Sequence, residues 1–260
     1  KEADKKAPTL TVRSRSLFLR IAVAATLAFG LFGLWQYTSQ SSGEVWQVAQ
    51  TNAQKGDNKL LSDGTVVSIN ANTKLEFPEE FKNTERRVRL DGEAFFDVAR
   101  DTEHPFIIEM EGATIKVLGT SFNIRSYGDE IELTVKSGKV AFKAEDGNKS
   151  WELIKGDQLV YKRSERTVKM QRDEQLNAIA WKRGSLVFVD TQLKEALRYM
   201  TNYYGVIFQL ENAKLQNCKL NLNYEQTTVA DALDILATIY QLQVRQESPK
   251  KYILSGGNCK

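Results

Sequence analysis

The sequence predicts a single-pass transmembrane helix, then an all-β domain of sandwich, roll or solenoid-like type, then a small α+β domain of two βαβ repeats. Three observations predict it. An apolar segment lies near the start, period-two alternation broken by turn residues fills the middle, and a strand–helix–strand unit recurs near the end.

The segment Leu17 to Tyr37 carries one charge, Arg20, a turn from its start. Its 21 residues, at about 1.5 Å each, cross a hydrocarbon core roughly 30 Å thick. Arg20 can reach the headgroups on its long stem, and Trp35 and Tyr37 fall where amphipathic rings favour the interface. Lys1, Lys5, Lys6, Arg13 and Arg15 occupy the tail, residues 1–16. The positive-inside rule then puts the N-terminus in the cytoplasm and everything after Tyr37 outside. The alternative is a cleaved signal peptide with Ile21 to Leu34 as its apolar core, for which Ser39-Gln40-Ser41 is a poor cleavage site. Either way the body is exported. The chain opens on Lys1 rather than Met, so a further N-terminal portion is expected to precede it.

Composition bounds what the body can do. Hydrophobic residues make up 42% and charged residues 27%, as in an ordinary folded protein. The net charge is +3, the first twenty residues hold +4 of it, and the remaining 240 therefore carry −1. A near-neutral body has no electrostatic footprint for nucleic acid.

A linker over residues 38–54 begins with the small polar run Thr38 to Gly43. Residues 55–175 then read as the all-β domain. Short alternating runs recur at Thr65–Ile69, Arg87–Leu90, Ile115–Leu118, Ile131–Val135, Lys139–Phe142 and Gln158–Tyr161. Asp63-Gly64, Asp91-Gly92, Ser137-Gly138 and Asp146-Gly147 are the expected turns, because glycine takes positive φ at little cost.

Three clusters in this domain invite a chemical reading, and each has a simpler one. Asp91-Gly92-Glu93-Ala94-Phe95-Phe96-Asp97 holds three carboxylates, which could be an acid pair or a cation site. A tight turn entering a strand, with a phenylalanine buried and the acids solvated, explains it as well. His104 is the only histidine, so a zinc site or a histidine-based triad has little support, and His104-Pro105 reads as a loop. Leu118 to Asn123 lacks the Gly-Lys-Ser/Thr ending of a phosphate loop and reads as a turn between strands.

Residues 176–260 form the α+β domain. Leu193, Ala196, Leu197 and Met200 make one face of a helix over Asp190–Tyr204, with Asp190 or Thr191 as its cap. Together with Tyr204, Val206 and Phe208 they align with Val229, Ala232, Leu233, Leu236, Tyr240, Leu242 and Val244, every pair offset by 36. Leu186 and Phe188 match Leu220 and Leu222 at an offset of 34. Two βαβ units and a last strand at Lys251–Leu254 should place helices over one sheet. The two cysteines, Cys218 and Cys259, flank the second unit. In an exported protein they could pair as a disulfide or remain two thiols.

The motifs also resemble those of a known family. Leu61-Ser62-Asp63-Gly64-Thr65-Val66-Val67-Ser68-Ile69-Asn70 is similar to the L-x-D-G-S-x-V-x-L-N stretch of FecR-family anti-sigma regulators. Arg86 to Ala99 resembles the family's R-x-V-x-L-x-G-E-A-[YF]-F-x-V stretch. Pro105-Phe106, Val117 to Asn123 and Ser137 to Val140 continue the likeness in order. Trp181 to Phe188 resembles the W-x-x-G-x-L-x-F opening of the C-terminal domain in Bacteroidetes-type members. The βαβ repeat is similar to the short N-terminal domain of secretins and TonB-dependent receptors.

The resemblance implies a protein that crosses the inner membrane once, with a cytoplasmic N-terminus and periplasmic C-terminal domains. The family's cytoplasmic segment holds an extracytoplasmic-function sigma factor. Its periplasmic part senses the signalling domain of a ligand-loaded outer-membrane TonB-dependent transporter, and regulated proteolysis then frees the sigma factor. Here only about sixteen residues precede the span, too few for the family's sigma-binding helices, so that partner is expected to bind the missing N-terminal segment. No cofactor or metal is expected, and the chain reads as no enzyme, because no acid/base or nucleophile set converges. The competing reading is a membrane-anchored periplasmic binding module without a sigma partner. In the regulator reading the expected contact surface for the receptor is the C-terminal domain, by strand addition at an open sheet edge or by helix packing.

Overall fold

The computed structural model describes residues 30, 45–53, 56, 58–145, 149–172 and 177–259. The basic tail, the apolar segment 17–37 except Gly30, and the Asp146-Gly147 turn lie outside the described residues. Among the described residues no helix is long and apolar enough to cross a membrane.

Among the described residues the β-domain has thirteen strands; the six expected runs fall in six of them, and the first strand lies within the expected linker, residues 38–54. They are β1 (Trp46–Gln50), β2 (Asn58–Leu60), β3 (Val66–Ile69), β4 (Lys74–Pro78), β5 (Arg86–Asp97), β6 (Phe106–Met110) and β7 (Ala113–Val117). There follow β8 (Ser121–Tyr127), β9 (Glu130–Ser137), β10 (Lys139–Ala144), β11 (Ser150–Ile154), β12 (Asp157–Lys162) and β13 (Thr167–Arg172). One sheet has the order β1-β4-β5-β6-β7-β10-β11 and the other β2-β3-β5-β8-β9-β12-β13. Pairing is antiparallel throughout except between β5 and β6. Inward residues of both sheets, such as Val88, Ile108 and Ile115 from one and Phe96, Ile124 and Leu133 from the other, build one core.

Strand β5 belongs to both sheets, and its change of allegiance is abrupt. Asp91 is its last residue paired with β4, opposite Lys74, and Gly92 is its first paired with β8, opposite Ser126. Asp91-Gly92 is therefore a bend inside a 12-residue strand, not the expected turn. Gly92 has φ +116°, and a Cβ there would stand 2.7 Å from the Thr73 Cα. Only glycine fits this approach. It lets the Thr73 hydroxyl accept the Glu93 backbone N–H at 2.9 Å.

The C-terminal part has its own core. A 3-10 turn (Asn177–Ile179) leads into the short helix α1 (Ala180–Arg183). Strand β14 (Ser185–Gln192), helix α2 (Leu193–Tyr204) and β15 (Ile207–Leu210) form the first unit. The second is β16 (Lys219–Glu225), α3 (Val229–Tyr240) and β17 (Leu242–Ser248), followed by β18 (Lys251–Gly256). Both helices have 12 residues and start 36 positions apart, so the sequence offset corresponds to a structural repeat. Leu193, Ala196, Leu197 and Met200 are buried, as are Ala232, Leu233, Leu236 and Tyr240.

Two details differ from expectation. The strands form two small sheets, β14-β16 and β15-β18-β17, rather than one. The first strands of the two repeats pair with each other, and β18 stands between their second strands, parallel to β15 and antiparallel to β17. Neither Asp190 nor Thr191 caps α2, because β14 continues past a bulge to Gln192, which pairs with Lys219. Asp190 takes φ +48° at that bulge.

If the bend requires glycine, Gly92→Ala should cost about 3 kcal/mol or more, from positive-φ strain together with the clash on Thr73. Urea unfolding measures this, and a loss within about 0.5 kcal/mol, ordinary for surface changes, would contradict it.

Candidate functional site

Beyond Gly92, alternation along β5 points Ala94 and Phe96 into the sandwich core and Glu93 and Phe95 out of it. Yet Glu93 is 4% and Phe95 3% exposed. The expectation that the cluster's acids are solvated holds for Asp91 and Asp97, which are exposed, and fails for Glu93. Its burial comes from the C-terminal part, whose segment from Asn177 to Trp181 lies against this outer face.

Strand register explains which groups meet there. Phe95 stands opposite Asn123, Asn123 opposite Thr134, and Thr134 opposite Gln158. One step along, Glu93 stands opposite Arg125 and Arg125 opposite Glu132. Asn123, Glu132, Thr134 and Gln158 are all buried, so the outer face carries a polar ladder that the C-terminal part covers.

Glu93 is the centre of this joint. Its two carboxylate oxygens accept from Asn70 Nδ2 and Asn123 Nδ2, each at 2.9 Å. Both amides are fixed in orientation. Asn70 Oδ1 accepts from the Ala71 N–H at 2.8 Å, and Asn123 Oδ1 accepts from Trp181 Nε1 at 3.2 Å. The Lys182 ammonium lies 4.1 Å from the Phe95 ring centroid. Next to this, the Arg198 guanidinium on α2 donates to both oxygens of Glu132 at 3.2 and 3.3 Å. Burial pushes the Glu93 carboxyl up to about 7, against the donors of Asn123 and Asn70 and the charge of Arg125, while Glu132 pushes it further up.

A second buried ion pair stabilises the far end of β5. Arg86, 3% exposed, donates from Nη1 to Asp63 Oδ2 at 2.7 Å and from Nε to the His104 carbonyl at 2.8 Å. Asp63 also accepts the Thr65 N–H and hydroxyl at 2.9 and 2.7 Å.

The other candidate residues lie elsewhere. His104 sits in the loop before β6, with Nδ1 2.8 Å from Asp101 Oδ2. Leu118 to Thr120 connect β7 to β8, and Ser121 to Asn123 already belong to β8. Cys218 and Cys259 are joined as a disulfide, Cα atoms 5.6 Å apart, and neither lines the joint. Among the described residues no group of three or more His, Cys, Asp or Glu is placed to hold a metal. Sequence reasoning missed Asn70, Asn123 and Glu132 as partners. The available signal was amide and hydroxyl residues at outward positions of consecutive strands, where lysine and glutamate would suit solvent better.

The buried groups thus come from separate stretches of sequence, and comparison with known proteins places those stretches. The FecR protein model matches residues 47–141, and the FecR C-terminal model matches residues 185–254. The chain belongs to the FecR family. In this FecR-family chain Asn70, Glu93 and Asn123 fall in the first match, while Trp181 lies between the two. Two crystal structures of a candidate anti-sigma factor from Parabacteroides distasonis are similar to it, with TM-scores of 0.65 and 0.64. They are 25% and 24% identical, and each alignment covers 82% of this chain and 100% of the other. No curated protein matches.

A carboxyl raised from 4.5 to about 7 in the folded state favours folding fully below its unfolded value. That contribution is lost as pH rises through the folded value. Between those two values the unfolding free energy should fall by about 1.4 kcal/mol per pH unit relative to Glu93→Gln, which lacks the titration. Denaturant unfolding of both proteins across this window tests it, and parallel pH profiles would contradict it.

Proposed function

We propose that this chain is a transmembrane signal-transducing regulator that controls an extracytoplasmic-function sigma factor. Family membership over both matched regions carries the reading, and the similarity to a candidate anti-sigma factor supports it. The role is regulatory rather than enzymatic. Residues 17–37 would anchor the chain in the inner membrane with the N-terminus in the cytoplasm, and residues after Tyr37 would be periplasmic. The Cys218–Cys259 bridge suits that oxidising side.

In this reading the periplasmic part receives the signalling domain of a ligand-loaded outer-membrane TonB-dependent transporter. The sigma factor binds the N-terminal segment. The joint bears on how a signal would pass. Glu132–Arg198 and Asn123–Trp181 bind the C-terminal part to the β-domain, so an event on one part changes the burial of groups in the other.

Pull-down of the full-length native protein from detergent-solubilised cells should recover an alternative sigma factor. Failure to recover one, with the protein intact and membrane-bound, would favour an anchored periplasmic binding module instead.

A further inference from the structure

Beside the enclosed joint, the β-domain and the C-terminal part leave an open cleft of about 860 Å³. That lies within the range of small-molecule sites, roughly 300–1,000 Å³. The loop before β4 and the end of β8 form one wall. Trp181 and the last turn of α2 form the other, and the start of α3 closes one end.

Two features of the lining constrain what fits. The first is ring surface. Tyr127, Trp181, Tyr203 and Tyr204 all line the cleft, and each is only partly buried. Such rings offer flat apolar faces, while the Tyr127 hydroxyl and the Trp181 N–H are already bonded to the Ala71 carbonyl and to Asn123 Oδ1. The second is the character of the polar groups. Most of the charge at the walls is already engaged: Arg125 lies 3.7 Å from Glu132 and packs over Tyr127, and Glu93 is held by two amides. Lys250 is an exposed amine. The amides of Asn72 and Asn202 also line the cleft, and among the described residues neither makes a side-chain hydrogen bond of its own. Each presents two donors and an acceptor without charge.

A charged ligand would find few free counter-charges here, and a purely apolar one would strand the amides. A pyranose ring meets both demands, with C–H faces for the aromatic rings and adjacent hydroxyls for the amides. We infer that the cleft is a binding site for a short neutral oligosaccharide. The inference does not rest on sigma-factor control and would stand if that reading failed.

The test is calorimetric titration of the full chain, held in a non-glycosidic detergent, with maltotriose, cellotriose, xylotriose and triacetylchitotriose. At least one should bind saturably, with an affinity unchanged between about 50 and 500 mM salt, as a neutral ligand requires. Tyr203→Ala and Asn202→Ala should each weaken that binding at least about tenfold, roughly 1.4 kcal/mol, and leave thermal unfolding cooperative. Absence of saturation by all four sugars up to about 10 mM, weaker than any affinity worth calling specific, overturns the inference. So does binding by both variants at the wild-type affinity. Neither outcome alters recovery of a sigma factor, so the two ideas fail separately.

Discussion

The carboxyl of Glu93 is buried, and the joint around it is arranged to offset the cost of that burial. A buried ionised carboxylate without partners would cost several kcal/mol. Here it is met by two amides whose own orientations are locked from behind, one by the Ala71 N–H and one by the Trp181 indole. The residue reaches this position because β5 bends at Gly92 and changes sheets. Without the bend, the outward face of the second half of β5 would not carry Glu93 and Phe95 to the place that the C-terminal part covers.

This arrangement makes the β-domain and the C-terminal part dependent on each other. The two have separate hydrophobic cores, so each has its own source of stability. The surface they share is polar, with Asn123, Glu132 and Thr134 buried between them. Polar joints of this kind are sensitive to geometry, since a group that loses its partner while still buried is destabilising. A FecR-family protein that transmits an event from one part to the other can use that sensitivity. Small displacement of α1 or α2 would take Trp181 from Asn123 or Arg198 from Glu132, and the strands carrying them belong to the sandwich.

The fold was legible where pattern alone decides it. Alternation located β3, β7, β9, β10 and β12, and the offset of 36 located α2 and α3, because both depend on apolar periodicity. What was hidden depends on long-range contact. Asp91-Gly92 has the local signature of a turn, and nothing nearby in sequence shows that Thr73 would approach it and turn it into a bend. Glu93 alternates with core residues as a solvated acid would, and its burial is imposed by residues more than eighty positions later. The pairing of β14 with β16 across the repeats has the same origin. The disulfide geometry also follows from tertiary packing, since spacing alone permits two thiols. Asp190 carries a strong local capping signal that the continued pairing of β14 overrides.

The most direct measurement of the central claim is a double-mutant cycle between Glu93→Gln and Trp181→Phe, read by denaturant unfolding above pH 7. Alone, Glu93→Gln sets an amide donor against Asn70 or Asn123, and Asn123 cannot turn while Trp181 holds its oxygen. Trp181→Phe frees Asn123 to turn and accept. The second substitution should then cost about 1 kcal/mol less in the presence of the first, the coupling expected of residues in one hydrogen-bonded network. Additivity within about 0.5 kcal/mol would mean that Trp181 does not hold the Glu93 network, and would leave Glu132–Arg198 as the polar link between the two parts.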